Sequence, residues 1–226
     1  MLIRTTIAPA SRPNSLRDLG ITSASDIGIT LSEFSYKKGM EIFGEREPAE
    51  YVYQVKSGAV RSYKLLSDGR RQIGAFHLSG DIFGLENGTH HRFTAEAIVK
   101  TSVRLIKRQR LQLVADNDAK VANNLLSMTT SNLEHAENHM LLLGRKTALE
   151  RVAAFLDEMN SRHNAAGVMS LPMSRRDIAD YLGLTIETVS RAVTRLHRAR
   201  VLTFTSNNQR EIVILDPRRL ASLDLS

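Results

Sequence analysis

"DIADYLGLTIETVSRAV", residues 177–193, reads as two helical patterns hinged on one glycine. Just before it, Ser174 stands where a helix cap is needed, and Asp177 takes the acidic position of a capping box. Gly183 permits the left-handed backbone that a short turn between helices demands. Thr185 caps the second helix, although its third following residue, Thr188, is not the acid a full box uses. Ile178, Ala179, Leu182, Leu184, Val189 and Val193 supply apolar faces that lock the two helices into a helix-turn-helix.

The outer face of the second helix carries Thr185, Glu187, Thr188, Ser190, Arg191 and Arg195. Arginine bonds in a bidentate way to the two major-groove acceptors of guanine, and a carboxylate accepts from the exocyclic amine of cytosine. The competing reading is a plain surface helix in which Glu187 and Arg191 form an i,i+4 ion pair worth a few tenths of a kcal/mol. The turn glycine, the caps, the flanking Arg175, Arg176, Arg198 and Arg200, and a following pair of strands favour DNA. Arg175, Arg176, Thr185, Thr188, Arg195 and Arg198 are then the candidate phosphate grips.

Outward from this stretch, "LTFTSNNQREIVILD" reads as two strands about the turn Ser206, Asn207 and Asn208, and Pro217 opens a last short helix. Upstream, "VMSLP" is a short strand, "NAAG" a loop, and "RKTALERVAAFLDEMNSRH" an amphipathic helix that restarts after a break at Gly144. From Gln109 to about Met140 the helical period is uninterrupted by glycine or proline, which predicts one long helix. Steps of seven along it give Val114, Val121, Met128, His135 and Leu142, and a second series gives Asp118, Leu125, Asn132 and His139. That pattern fits a coiled-coil seam between two copies. It fits equally an amphipathic helix packed on its own barrel.

Between Phe34 and Arg104 the chain runs in short β-type segments, "MEIF", "YVYQV", "AVRSYKLL", "QIGAFHL", "FTAEAIV" and "SVRLI", separated by glycine turns. This predicts a small antiparallel barrel or sandwich, with its sharpest hairpin at Asp68-Gly69 in "SYKLLSDGRRQIGAF". The first residues, with Pro9, Ser11, Pro13 and Ser15, read as a flexible arm over 1–24. The expected divisions are therefore arm 1–24, β-domain 25–114, long helix 115–143 and DNA-binding unit 144–226.

Composition agrees and excludes. Of the 226 residues, 42% are hydrophobic and 24% charged, so a folded globular chain is expected. A net charge of +7 favours polyanionic partners and also occurs in proteins that touch no nucleic acid. With no cysteine, disulfides, thiolate metal sites and iron-sulfur ligation are excluded. No stretch reaches the roughly 18 apolar residues of a spanning helix and no signal-peptide core opens the chain, which predicts a cytoplasmic protein without membrane partners.

A glycine-studded β-roll, a long helix and a winged helix-turn-helix resemble the CRP/FNR family of bacterial transcription regulators, over about residues 25–220. "GRKTALERVAAFL", "LPMSRRDIADYLGLTIETVSR" and "LLSDGRRQ" are similar to its FixK-type activators. The resemblance implies an α+β chain: a cyclic-nucleotide-binding-like jelly roll, a dimerisation helix and a winged helix-turn-helix. It implies a homodimer joined through Val114, Val121, Leu125, Met128, Asn132, His135, His139 and Leu142. It further implies readout of a TTGAT-type half-site in palindromic double-stranded DNA by Ile186, Glu187, Ser190 and Arg191. Activation would follow from contact with RNA polymerase, and Ser67, Asp68, Gly69, Arg70 and Arg71 match the region that touches polymerase in FNR-type relatives. An ordinary solvated hairpin tip is the other reading of those five. By resemblance the targets are genes for low-oxygen respiration and nitrogen fixation.

The sequence also departs from its relatives. The cysteines of an FNR-type cluster are absent, and Ser174 stands where some FixK-type relatives carry an oxidisable cysteine. In "GDIFGLENGTHHRFTAEA" the positions matching a cyclic-phosphate cassette hold Leu85, Phe93 and Thr94, although Glu86 and Arg92 lie one residue away. No cofactor and no bound effector are therefore expected. The alternative is a CRP-like regulator gated by an unidentified small molecule in the roll.

"HAENH" sets His135 and His139 at the spacing of two metal ligands, but Ala136 and Glu137 do not complete H-E-x-x-H. Polar seam residues are the favoured reading, so no metal is expected, with a pH-dependent dimer and a metal-dependent hydrolase as the rivals. His90 and His91 read as solvated loop residues. No nucleophile elbow, P-loop or dinucleotide fingerprint is present, so no enzyme is expected. At 5% aromatic residues, base stacking on RNA is disfavoured.

Overall fold

The computed structural model describes residues 32–163, 167–206 and 209–224; the arm expected over 1–24 and the tip residues Asn207 and Asn208 fall outside them. Eight strands come first: β1 (Ser32–Tyr36), β2 (Glu41–Phe43), β3 (Tyr51–Ser57), β4 (Ala59–Leu65), β5 (Arg71–Leu78), β6 (Ile82–Phe83), β7 (Thr94–Ala97) and β8 (Thr101–Lys107). They form two antiparallel four-stranded sheets, in the orders β1-β8-β3-β6 and β2-β7-β4-β5. Val55 and Val103 of the first sheet meet Val60 and Ala95 of the second, with Phe43, Tyr53 and Phe83 filling the interior. The β4–β5 hairpin closes at Gly69 with φ 80°, and the Leu66 amide donates to the Arg70 carbonyl at 2.8 Å.

The long helical run is not one helix. It divides into α1 (Arg108–Asn117) and α2 (Ala119–Arg145) at Asp118, whose extended backbone lets its carboxylate accept from the Lys120 and Val121 amides. An N-cap acceptor inside an otherwise periodic run starts a new helix without glycine or proline. Conversely, α2 runs straight through Gly144, and the break falls at Lys146 and Thr147. There Thr147 and Glu150 exchange amide and side-chain hydrogen bonds to open α3 (Ala148–His163).

The remainder is β9 (Met169–Ser170), α4 (Arg175–Leu182), α5 (Ile186–Arg198), β10 (Leu202–Phe204), β11 (Glu211–Ile214) and α6 (Pro217–Asp224), with a wing sheet in the order β10-β11-β9. One apolar cluster joins this unit to the roll. Ile73, Phe76 and Leu78 of β5 pack with Phe155 and Leu156 of α3 and Tyr181 of α4. Phe76 lies 5.2 Å from the Tyr181 ring and 6.1 Å from that of Phe155, centroid to centroid.

Candidate DNA-binding site

The helix-turn-helix is built as its residues require. Ser174 and Asp177 make the full reciprocal capping box, with the Asp177 amide donating to Ser174 Oγ at 3.2 Å and the Ser174 amide to Asp177 Oδ2 at 2.9 Å. Gly183 adopts φ 62° and ψ 38°, a left-handed pair that would strain any residue with a Cβ. Thr185 accepts from the Thr188 amide and opens α5, whose inner face buries Val189, Ala192, Val193 and Leu196.

Burying that face turns the other toward solvent. Glu187, Ser190, Arg191, Thr194, Arg195 and Arg198 are exposed along it, with Thr185 beside its start and Ile186 and Thr188 half-buried. Thr194 belongs to the face and was missed by the sequence reading; its place four residues after Ser190 is the signal that would have found it. The Ser190 hydroxyl donates to the Ile186 carbonyl at 2.8 Å, which leaves its oxygen able to accept from a base and requires rotation only for it to donate to one. Glu187 and Arg191 make no ion pair with each other among the described residues. Arg176 is exposed on α4. Arg175 is different: burial holds its guanidinium below the usual range, its Nη2 donates to the Gln209 carbonyl at 3.4 Å, and its buried Nη1 has no partner among the described residues.

The expected seam residues fall mostly inside the chain. Val114, Val121 and Met128 are buried against Val52, Ile82 and Ile106 of the roll, and Leu125 is partly buried with them. His139 stacks on Tyr181 at 4.1 Å between ring centroids, His135 Nε2 lies 3.4 Å from the Tyr181 hydroxyl and 3.8 Å from Glu158 Oε1, and Leu142 packs on the large core. Only Asn132 is exposed. The reading of a helix packed on its own barrel therefore describes Val114, Val121, Leu125 and Met128, while His135, His139 and Leu142 pack toward α3 and α4. The opposite face of α2 carries Leu126, Leu133 and Met140, spaced by seven and 66%, 59% and 65% exposed.

Two loop readings also change. His91 is buried, stacked on Phe43 at 3.6 Å between ring centroids, while His90 is exposed. At the hairpin tip Ser67, Asp68, Gly69 and Arg70 are exposed, but Arg71 turns inward to Asp177 and Asp180.

A cavity of about 430 Å3 lies between roll and α2, lined by Ser62, His77, Phe93, Asn132, His135 and Arg162 among others. Its cations are already committed. Arg92 pairs with Glu86 at 2.9 Å, and Arg162 pairs with Asp81 and Glu158. The Phe93 ring fills the space over Gly74, where a Cβ would meet it at 2.9 Å. Among the described residues no His, Asp and Glu cluster is placed to hold a metal ion, and no helix is long and apolar enough to cross a membrane.

A capped helix-turn-helix with an exposed polar and basic recognition face, a β-wing behind it and a two-sheet roll on a long helix define a winged-helix DNA-binding regulator. The comparisons sharpen that class. Residues 150–223 match the Crp-like helix-turn-helix domain and residues 33–118 the cyclic nucleotide-binding domain. The nitrogen fixation regulation protein FixK of Rhizobium meliloti is 44% identical over 84% of this chain and 85% of its own length. Its namesake from Azorhizobium caulinodans is 45% identical over 84% of this chain and 77% of its own. The structure of FixK2 from Bradyrhizobium japonicum superposes with a TM-score of 0.84 at 63% identity, covering 87% of this chain and 98% of that one. This chain belongs to the CRP/FNR family of transcription regulators, among its FixK-type members, and is not an enzyme.

Proposed function

We propose that this chain is a cytoplasmic transcription activator that binds a TTGAT-type palindrome as a homodimer without a bound effector and recruits RNA polymerase. The observation that carries the reading is the α5 face, where Glu187, Ser190 and Arg191 stand exposed on a helix whose other side is locked in the core. Arg191 bonds guanine and Glu187 a cytosine amine, Ile186 meets a thymine methyl, and Thr185, Thr188, Arg175, Arg176, Arg195 and Arg198 hold phosphates. Residues 144–226 carry recognition, and the roll and helices of 25–143 set the dimer.

The seam we propose is Leu126, Leu133 and Met140, since the opposite face of α2 is already covered by the roll. Two-fold symmetry then places the two α5 helices in successive major grooves about 34 Å apart. The exposed tip Ser67, Asp68, Gly69 and Arg70 remains the polymerase patch, without Arg71. FixK-named relatives point to nitrogen fixation genes as targets.

Effector independence rests on the cavity chemistry: among the described residues both arginines of its lining already pair with carboxylates, Arg92 with Glu86 and Arg162 with Asp81 and Glu158. The cavity itself favours one other reading, in which an uncharged small molecule enters it and gates DNA binding. Fluorescence anisotropy of additive-free protein on a labelled TTGAT palindrome and a scrambled duplex, at two salt concentrations, decides between them. Tight binding to the palindrome alone is expected. Equal, salt-sensitive binding to both duplexes counts against the proposal and turns attention to the cavity.

A further inference from the structure

The roll and the helix-turn-helix are joined by charge as well as by apolar packing. Asp177 Oδ1 accepts from Arg61 Nη1 and Arg71 Nη2, both at 2.7 Å. Asp180 Oδ2 accepts from Arg71 Nε at 2.9 Å and Nη2 at 2.7 Å. Glu96 of β7 holds the other end of Arg61 at 2.6 Å, the Tyr63 ring lies 5.5 Å from the Arg71 guanidinium, and Gln72 donates to the Tyr181 carbonyl at 3.3 Å. Both carboxylates belong to α4, and both arginines to the β4–β5 hairpin.

This arrangement bears on how α5 is aimed. The chain passes from α2 to the DNA-binding unit through the non-helical pair Lys146 and Thr147. The packing of Phe76 on Phe155 and Tyr181 supplies attraction across the junction but little direction. The forked guanidinium of Arg71 on Asp180 is directional. Arg151 adds a second tie, donating to the Lys146 carbonyl at 2.9 Å and the Leu182 carbonyl at 3.1 Å. The same pairing neutralises the acidic side of α4 against the roll, leaving the exposed Arg176 toward its N-terminus and the basic face of α5 for phosphate.

We infer that Arg61 and Arg71 are positioning residues for DNA recognition: by gripping Asp177 and Asp180 they fix α4 and α5 on the Lys146–Thr147 joint, and so set the half-site spacing that a dimer accepts. The inference rests on the palindrome-binding reading above. Neither arginine touches DNA; each acts through α4.

The test uses the full-length protein with Asp180→Asn, Arg71→Gln and the double variant. Asp180 is chosen because Asp177 also caps α4. Anisotropy is read on palindromes whose half-sites are at native spacing, one base pair closer and one base pair farther apart. Wild type prefers one spacing. Each single variant loses on the order of fivefold or more at that spacing, the lower end of interdomain coupling, and its preference between spacings flattens. The double variant loses no more than Arg71→Gln alone, because that substitution already removes the contact with Asp180 together with the one to Asp177. A merely destabilised chain would lower binding at every spacing alike and leave the ratio intact. A discriminating wild type whose variants keep its spacing ratio, or whose losses simply add, overturns the positioning role alone. A wild type that binds palindrome and scrambled DNA equally overturns the DNA reading and this role with it.

Discussion

Two groups of arginines divide the work of this molecule. Arg61 and Arg71 lie on the roll, mostly shielded, each gripping carboxylates supplied by the fold. Arg191, Arg195 and Arg198 lie on α5, exposed and without an ion-pair partner among the described residues. The side chain is identical and the difference is where the counter-charge comes from. In the first group it is built in, so the arginine is part of the structure; in the second it is missing, and DNA is proposed to provide it. Desolvation pulls the Arg71 guanidinium down, yet Asp180 and Asp177 outweigh it and hold it above its ordinary range.

The comparison breaks most visibly at Asp177, which is 3% exposed between both arginines and its own cap. Asp177→Ala should lower stability by about 3 kcal/mol, the lower end for breaking a buried ion pair because the arginines keep some solvent contact. Urea denaturation checks it, and Asp177→Asn, which keeps the cap acceptor, should cost less. Arg191→Ala should leave stability within about 0.5 kcal/mol. On the palindrome it should weaken binding by about 1 to 3 kcal/mol and relax preference at the guanine it reads. Equal losses on palindrome and scrambled DNA would remove Arg191 from base readout.

The helix-turn-helix was legible because every device in it is local. Caps at Ser174 and Thr185, the glycine at 183 and the apolar spacing sit within about 20 residues, and each is where the sequence pattern places it. The hairpin at Gly69 was legible for the same reason. What periodicity could not decide was which face of α2 a second copy would meet. Val121 and Leu126 are both apolar on one helix, and only the tertiary position of Ile106 and Val52 shows that Val121 is already covered. The inward turn of Arg71 was hidden likewise, since its partners lie more than 100 residues away at Asp177 and Asp180. His91 read as loop because its neighbours are polar, yet Phe43 offered it a ring to stack on.

A third half-buried arginine, Arg162, sharpens the contrast through pH. His77 stacks on Phe83, shares a hydrogen bond of 2.8 Å with Ser62 Oγ and is pushed down to about 3, first by desolvation and then by the charge of Arg162. The folded protein thus keeps this imidazole neutral where the unfolded chain protonates it, below the ordinary value of 6.5. Stability is full above that value and falls as pH drops toward 3, because the unfolded state binds the extra proton. Between pH 6.5 and 5 this group should cost about 1 to 2 kcal/mol. His139 is shifted the same way by burial and adds to the slope. Asp177, held below its ordinary value against desolvation by Ser174 and the two arginines, contributes only at lower pH, from about 3.8 downward. Thermal unfolding of His77→Gln across this range should show a flatter acid limb than wild type, and an unchanged limb would place the titration elsewhere.

The smallest effect belongs to the α5 arginine proposed to hold phosphate alone. Arg198 closes the last turn of the helix, past the base-reading residues, and its cation has no ion-pair partner among the described residues. Replacing it with alanine removes one charge from the DNA footprint and no directional contact with a base. Affinity should drop by a similar, modest factor on palindrome and scrambled duplex, and the slope of log K against log salt should become shallower by about 1. Arg71→Gln would leave that slope unaltered, since its charge is already spent on Asp177 and Asp180. If Arg198→Ala instead changed the ratio between palindrome and scrambled DNA, Arg198 would move into base readout beside Arg191.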